Sequence, residues 1–263
     1  MSRVVTSLSN DTVKAVRALH LRKAREDSGR FLAEGLKIVA EAVELGFPPK
    51  TVMHTADMSG HPVLGRVTAA ARTAGGEVLE VSREVLEKVS KRDNPQTVVA
   101  VFEQRFATLE DLRPETAGTW VALEAVRDPG NLGTIIRTAD AAGCGGVILV
   151  GDCVDPFSVE GVRATMGSIF ALPIVKADRE AFLAWRASWP GAVVGTRLQA
   201  SVDHREAEYR RPALLLMGNE QAGLTPELAA ACDVNVKIPM LGRADSLNLA
   251  VATGIMIYAA LPD

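Results

Sequence analysis

The fold is decided by the stretch Ile238-Pro-Met-Leu-Gly-Arg-Ala-Asp-Ser-Leu-Asn-Leu-Ala-Val-Ala-Thr-Gly-Ile-Met-Ile-Tyr258. A short apolar strand, from Val234 to Ile238, runs into it, and Pro239 and Gly242 then mark a loop. The apolar positions that follow at helical spacing are Leu247, Val251, Ile255 and Tyr258. The stretch therefore predicts a strand, a loop and a C-terminal helix.

Polar side chains lie on this loop, where an α/β sheet usually binds its ligand. Ser246 stands at the expected helix N-cap, and Asn248 falls in the first turn. A capped helix that belongs only to the core is the alternative interpretation. Packing alone does not explain why Pro-Met, Ser-Leu-Asn and a helix almost free of polar residues occur in one run.

Length and composition are typical of a globular protein with two modest domains or one large one. The chain has 263 residues, of which 48% are hydrophobic and 23% charged. Residues 1–10 contain no apolar core of a signal peptide, and the apolar C-terminal run is shorter than the ~20 residues of a membrane span. We therefore expect a cytoplasmic protein that has no membrane partner.

Cysteine and histidine give no metal-binding pattern. Cys144, Cys153 and Cys232 include no C-x-x-C pair, which indicates buried thiols in a reducing compartment. The four histidines have no ligand spacing with cysteine or acid, so no metal is predicted.

Charge is distributed unevenly along the chain. The net charge is −3, yet residues 1–30 carry seven bases and three acids, a local +4, so the remainder carries −3 − 4 = −7. Such a basic arm on an acidic body can contact phosphate groups. The candidate residues for this contact are Arg17, Arg22, Lys23 and Arg25. A solvated helix face is the alternative explanation for these charges.

The order of the predicted elements gives an α/β fold with two domains. Residues 1–106 alternate short strands with helices. One helix is expected to be capped by Asn10 or Asp11 and to carry Val13, Val16, Leu19 and Leu21, and another begins near Glu34. Residues 107–118 are polar and aperiodic, and are predicted to be a linker. Residues 119–263 repeat the rhythm with apolar strands, which predicts a mostly parallel sheet with both faces covered.

Two further stretches of the second domain carry candidate chemistry. Asp128-Pro-Gly-Asn-Leu-Gly-Thr-Ile-Ile-Arg137 is a loop that enters a helix, and Arg137 on that helix can fork onto a phosphate. Leu214-Leu-Leu-Met-Gly-Asn-Glu220 is a buried strand that ends at Gly218, where backbone can approach a ligand. A surface arginine and a plain strand-to-loop transition are the alternatives.

These three stretches, in this order, resemble the motifs of the SpoU family of RNA ribose 2′-O-methyltransferases, within the knotted SPOUT superfamily. The first residues are similar to a substrate-binding domain of the ribosomal-protein L-thirty-e type, through Arg30-Phe-Leu-Ala-Glu-Gly-Leu-Lys37 and Asn94-Pro-Gln-Thr-Val-Val-Ala-Val101. Asn94 departs from that pattern, since His is common there. The resemblance implies a homodimer and a structured RNA substrate, with large-subunit 23S ribosomal RNA favoured over tRNA.

The resemblance also implies a cofactor, S-adenosylmethionine, bound in a deep trefoil knot. Backbone groups of Gly218, Ile238 and Leu247 would contact the cofactor. The side chains that would line the pocket are Thr196, Met217 and Met240.

Catalysis is expected to depend on positioning and charge placement. The family gives Arg137 the leading role; because guanidinium stays charged, gripping a phosphate and stabilising a developing alkoxide is easier than accepting a proton. The residues expected to orient ribose, cofactor and Arg137 are Asn131, Glu220, Ser246 and Asn248. An idle RNA-binding or ribosome-assembly scaffold is the alternative, and a nicotinamide-dependent Rossmann enzyme is disfavoured because G-x-G-x-x-G is missing after the first strand.

Overall fold

The computed structural model describes residues 3–262. Strands alternate with helices, and the chain divides into two units. Unit 1 contains the described residues up to Gln104 and also Asp155–Phe170. Unit 2 contains Arg105–Val154 and the described residues from Ala171 onward.

Unit 1 is built on a five-stranded sheet in the order β1-β4-β3-β5-β2. Its elements up to residue 104 are β1 (Arg3–Val5), α1 (Asp11–Ala18), α2 (Arg22–Ser28), β2 (Arg30–Glu34), α3 (Leu36–Glu44), β3 (Thr51–His54), α4 (Pro62–Thr73), β4 (Glu77–Val81), α5 (Arg83–Ser90) and β5 (Val98–Glu103). The β1, β3 and β4 pairings are parallel, whereas β5 runs antiparallel to β2 and β3.

Two predictions for unit 1 need correction. The helix expected to carry apolar residues up to Leu21 is capped by Asn10, as predicted, but ends at Ala18, and α2 follows as a separate helix. The strand β2, which comes before the helix predicted near Glu34, was missed. Four consecutive residues of β2 are buried, so the strand shows no alternation and is too short to be distinguished from a helix by pattern.

Unit 2 is built on a seven-stranded parallel sheet in the order β10-β12-β9-β11-β6-β7-β8, which confirms the predicted parallel sheet. The remaining elements of the chain are β6 (Thr119–Glu124), α6 (Pro129–Ala141), β7 (Val147–Val150), α7 (Val159–Thr165), β8 (Ile174–Ala177), α8 (Arg179–Arg186), β9 (Val193–Thr196), β10 (Val202–Asp203), β11 (Ala213–Met217), α9 (Pro226–Ala230), β12 (Val234–Lys237) and α10 (Leu249–Ala259). Strand β12 lies between β10 and β9, whereas β11 lies on the other side of β9. The knot remains a prediction.

The segment Asp155–Phe170, which includes α7, packs within unit 1 although its neighbours in the chain belong to unit 2. Phe157 and Phe170 lie against Phe31, with ring centroids 4.6 and 5.6 Å away. Arg163 forms an ion pair with Glu34 at 2.6 Å. Removing the residues before Arg105 would therefore expose this aromatic and charged surface, so point substitutions are the cleaner test of unit 1.

The C-terminal helix α10 differs from its prediction at two points. Its N-cap is Asn248, two residues beyond Ser246, and the Asn248 side chain accepts from the N–H groups of Ala250 and Val251. The buried side chains of the helix are not the apolar positions picked out by helical spacing. They are Leu249, Ala250, Thr253, Met256 and Ile257. Because α10 is apolar nearly all round, periodicity does not identify its buried face.

Candidate functional site

A cleft in unit 2 lies at the carboxyl ends of β9, β11 and β12 and has a cavity volume of about 190 Å³. The six residues predicted to contact a cofactor all line it: Thr196, Met217, Gly218, Ile238, Met240 and Leu247. Ser246 and Glu220 line it as well. The hydroxyl of Thr196 donates to the Sδ atom of Met217 at 3.1 Å, so two of the three neighbouring strands are linked at the cleft wall. The carboxyl edge of a parallel sheet is where such folds bind ligands.

The backbone of this cleft has hydrogen-bonding capacity to spare. Within residues 3–262, no backbone–backbone hydrogen bond involves Gly218 or the residues from Ile238 to Leu247. Backbone N–H and C=O groups that are withdrawn from water need partners. Gly218 is buried, and Ile238 and Met240 are half-buried. A ligand that presents donors and acceptors to this backbone, such as an adenine and a ribose, can therefore satisfy these groups.

The loop that follows β11 is held in shape by Asn219, which sequence reasoning did not single out. Its Nδ2 donates to the carbonyl of Ala125 at 2.7 Å, and its Oδ1 accepts from the N–H of Gln221 at 2.9 Å. Its backbone N–H and C=O both bond to Gly223, at 3.1 and 2.9 Å. Every polar group of Asn219 is thus used to shape a wall of the cleft. Its place between Gly218 and Glu220 was the only signal in the sequence.

Three of the predicted catalytic side chains form one hydrogen-bonded chain. Asn131 Nδ2 donates to Glu220 Oε1 at 3.4 Å, and Asn248 Nδ2 donates to Asn131 Oδ1 at 2.8 Å. Asn248 Oδ1 then accepts from the first N–H groups of α10. A carboxylate that only accepts stands at one end, and helix N–H groups that only donate stand at the other. This fixes the orientation of both amides and links the loop after β11 to α6 and α10.

The direction of this chain predicts a difference between two substitutions at Asn248. Asn248→Asp keeps the oxygen that caps α10 but loses the donor to Asn131, so we expect the methyl transfer implied by the resemblance to fall about tenfold with little change in stability. Asn248→Ala also loses the cap, at a further cost of about 1 kcal/mol in the free energy of unfolding. Urea unfolding and single-turnover kinetics on both variants measure these effects. Full activity in the Asp variant would show that the hydrogen bond from Asn248 to Asn131 has no role in the reaction.

Glu220 is also held by the backbone at the start of α6. Its carboxylate accepts from the N–H of Arg127 at 3.3 Å and from that of Asp128 at 3.3 Å. Asp128 in turn caps α6, accepting from the N–H of Asn131 at 2.6 Å. Negative charge at a helix N-terminus is favourable. The two predicted motifs therefore meet at the start of α6.

The structure does not bring Arg137 to this cleft. It lies on the exposed face of α6, six residues beyond Asn131 and so about 9 Å along the helix. In the described part of the chain it has neither an ion pair nor a side-chain hydrogen bond. Arg137 is therefore a cation that a phosphate or another chain can approach freely.

Of the four candidate RNA-binding residues, three are on the surface and one is buried. Arg17, Arg22 and Lys23 are exposed. Arg25 is only 4% exposed, and its Nε donates to Asp155 at 2.8 Å. Its Nη1 also donates to the carbonyl of Leu19 at 2.8 Å. We therefore leave Arg25 out of the proposed RNA contacts, because it is committed to a buried ion pair.

Thiol chemistry plays no part in this site. The three cysteines are free, and burial raises the pKa of Cys144 and of Cys232 to about 12. Among residues 3–262, no group of three or more His, Cys, Asp or Glu side chains is placed to hold a metal ion. The same residues contain no helix that is long and apolar enough to span a membrane.

Comparison with known proteins places both parts of the chain. Residues 118–258 match the SpoU rRNA Methylase family, and residues 10–100 match the MRM3-like substrate binding domain. A 23S rRNA (guanosine(2553)-2′-O)-methyltransferase, RlmP of Bacillus subtilis, is 32% identical over 254 residues, which are 97% of each chain. A 23S rRNA (uridine(2479)-2′-O)-methyltransferase of Streptomyces viridochromogenes is 33% identical over 248 residues, covering 91% of this chain and 85% of that protein.

A solved structure agrees over nearly the whole chain. The AdoMet-bound rRNA methyltransferase from Sinorhizobium meliloti superposes with a TM-score of 0.93 at 52% identity, covering 98% of this chain and 97% of that one. The three motifs of the cleft lie inside the matched residues 118–258. The chain therefore belongs to the SpoU rRNA methylase family.

Proposed function

We propose that this protein transfers the methyl group of S-adenosylmethionine to a ribose 2′-hydroxyl of 23S ribosomal RNA. The observation that carries the proposal is the cleft at the sheet's carboxyl edge. There, unpaired backbone groups lie beside the hydrogen-bonded side chains of Glu220, Asn131 and Asn248. The relatives named above, which act on 23S rRNA, support this substrate over tRNA. Ribosomal RNA as substrate also supports a cytoplasmic location.

The residues of the cleft suit S-adenosylmethionine, which supplies the sulfonium methyl group when bound. The wall of the cleft is mainly apolar where it is formed by the side chains of Thr196, Met217 and Met240. The backbone from Ile238 to Leu247 supplies donors and acceptors. Such a mixture is typical of cofactor sites. The solved relatives bound to AdoMet share this fold.

The protein's own contribution to the reaction is positioning and charge. The side-chain hydrogen bonds that link Glu220, Asn131 and Asn248 hold the start of α6. The same helix carries Arg137. A guanidinium that forks onto the phosphate beside the target ribose can stabilise the developing negative charge on the 2′-oxygen. Ser246 lines the same cleft and completes the set of polar groups that orient ribose and cofactor.

Unit 1 is proposed to recognise the RNA away from the cleft. It matches a substrate binding domain, and Arg17, Arg22 and Lys23 give it exposed positive charge. Structured RNA is recognised largely through shape and phosphate contacts, for which exposed cations suffice.

The direct test is to map 2′-O-methyl groups on total RNA from cells with and without the protein. We expect one 23S position to lose its mark in the deletion strain, and the purified protein with S-adenosylmethionine to restore it on RNA from that strain. Calorimetric titration with S-adenosylmethionine distinguishes an active enzyme from an idle scaffold, because a scaffold has no need to bind the cofactor. No detectable cofactor binding would overturn the proposal.

We also propose that the protein acts as a homodimer through α10. This helix exposes an apolar stripe: Leu247 just before it is 38% exposed, and Val251 and Tyr258 within it are 52% and 57% exposed. Contiguous exposed apolar surface of this kind indicates a covering partner. A second copy also explains why Arg137 lies outside its own chain's cleft, since the family resemblance places it near the partner's cofactor.

Val251→Glu should convert the dimer into a monomer, because a charge in the centre of an apolar interface loses its hydration without gaining a partner. Light scattering at micromolar concentration should give about half the wild-type mass. Leu45→Glu is the matched control, since Leu45 in unit 1 is 50% exposed and should leave the mass unchanged. A wild-type protein that is monomeric in this measurement would end the dimer proposal.

A further inference from the structure

Two cations occupy neighbouring positions at the carboxyl edge of the unit 2 sheet. Strands β9 and β12 are parallel with Thr196 opposite Val236, and the Arg197 N–H donates to the Val236 carbonyl at 2.9 Å. This bond belongs to the last register pair, and Arg197 and Lys237 are the next residues on the two strands, so the register places them side by side. Neighbouring strands are about 4.8 Å apart, and residues at one register position point to the same face. Like charges in this arrangement repel each other.

Asp203, the acid next to Lys237 in the sheet, does not neutralise these two cations. Asp203 on β10 is the register partner of Lys237 on its other side. Its carboxylate is engaged by Arg205, at 2.6 and 3.0 Å, and these hydrogen bonds hold the pKa of Asp203 well below its usual range. In the described part of the chain, neither Arg197 nor Lys237 has an acid within ion-pair distance.

The pair stands at the entrance to the site already described. Arg197 lines the cofactor cleft, and Lys237 lines an adjoining cavity of about 300 Å³ that shares Ile238 and Met240 with that cleft. Both cations are half-buried, so their charges are screened less than those of fully exposed side chains. An anion that neutralises both would therefore lie directly beside the cofactor. Asp245 also lines the adjoining cavity. Its carboxylate accepts a hydrogen bond from the Ser246 hydroxyl at 3.2 Å and is not within ion-pair distance of Lys237.

We propose that Arg197 and Lys237 bind the phosphodiester backbone of the RNA strand whose ribose enters the cleft. This inference rests on the proposed function, and it assigns to these two residues a substrate contact beside the cofactor cleft. The cofactor is a poorer source of the anion. S-adenosylmethionine carries a sulfonium and an ammonium against one carboxylate, so its net charge is positive and adds to the repulsion. An RNA strand supplies one negative charge per nucleotide and can neutralise both side chains.

The test is the salt dependence of RNA affinity for Arg197→Gln, Lys237→Gln and the double variant. The probe is 23S ribosomal RNA from the deletion strain, with binding measured by filter retention between low and moderate salt. Each phosphate contact contributes about 0.7 to 0.9 to the slope of log affinity against log salt, so the double variant should lose about 1.4 to 1.8. Arg210→Gln is the matched control. It removes the same charge from an exposed residue near the amino end of β11, at the opposite edge of the sheet, and should leave the slope unchanged.

Calorimetry with S-adenosylmethionine distinguishes the two sources of the anion. We expect Lys237→Gln and Arg197→Gln to bind the cofactor within about threefold of wild type. A slope in the double variant equal to that of wild type overturns the inference, and so does a tenfold loss of cofactor affinity in Arg197→Gln, which would assign that arginine to the cofactor carboxylate. Failure of the wild-type protein to methylate the RNA is a separate result that overturns the proposed function itself.

Discussion

Arg137→Ala is expected to lower the rate of methyl transfer by about 100- to 1,000-fold, the range seen when one stabilising donor is removed from a transition state. The affinity for S-adenosylmethionine should stay within about twofold, because the proposed partner of Arg137 is an RNA phosphate and not the cofactor. Single-turnover kinetics on 23S rRNA and calorimetry with the cofactor measure the two quantities. Activity within a few-fold of wild type would remove Arg137 from the mechanism.

Arg137→Lys separates charge from geometry at the same position. A lysine keeps the positive charge but cannot fork onto two phosphate oxygens, so we expect it to restore little of the lost rate. The exposed face of α6 around Arg137 accommodates either side chain, and stability should hardly change. Full rescue by lysine would mean that only the charge matters.

Mixing two inactive subunits tests whether Arg137 serves the partner's cleft. A dimer of one Arg137→Ala chain and one Gly218→Ala chain contains one intact cleft together with one intact Arg137 from the other chain. A fully exchanged equimolar mixture should therefore recover about a quarter of wild-type activity, since half of the dimers are mixed and half of their sites are complete. If Arg137 serves its own chain, the mixture stays inactive.

Much of unit 2 could be predicted because its strands are buried on both faces and flanked by clear turn residues. The buried strand predicted to end at Gly218 is β11, which ends at Met217. Parallel strands of this kind read as short apolar runs, which a sequence shows directly. The six residues predicted to contact the cofactor came from motif positions, and all of them line one cleft.

What the sequence did not show depends on contacts between distant residues. Asp155–Phe170 belongs to unit 1 because Asp155 pairs with Arg25 and Phe157 packs on Phe31, and no local pattern encodes such pairings. The same buried pair removed Arg25 from the basic arm, which composition alone had counted as surface. Asn219 was passed over because its role is to satisfy loop backbone, a requirement that emerges only once the loop has its shape.

Gly218→Ala is expected to weaken cofactor binding about 100-fold, because it displaces the loop that follows β11. The structure revises the reason for which a glycine is needed there. A Cβ at Gly218 would overlap the backbone of Gly223 and Leu224, on the far side of the turn that Asn219 closes. Backbone atoms cannot move aside by changing rotamer, so the loop from Asn219 to Leu224 must shift as a whole. Overpacking of this kind costs about 1–3 kcal/mol or more.

A displaced loop alters one wall of the cleft, so the affinity for S-adenosylmethionine should fall by about 100-fold, which corresponds to about 3 kcal/mol. Gly242→Ala is the matched control, because a Cβ there meets nothing within 4 Å, and its cofactor affinity should equal that of wild type. Retained RNA binding through unit 1 and an unchanged circular dichroism spectrum would confirm that the Gly218 variant is folded. Calorimetry that finds cofactor affinity within threefold of wild type would show that the turn can open without disturbing the cleft, and that Gly218 is not needed for the binding wall.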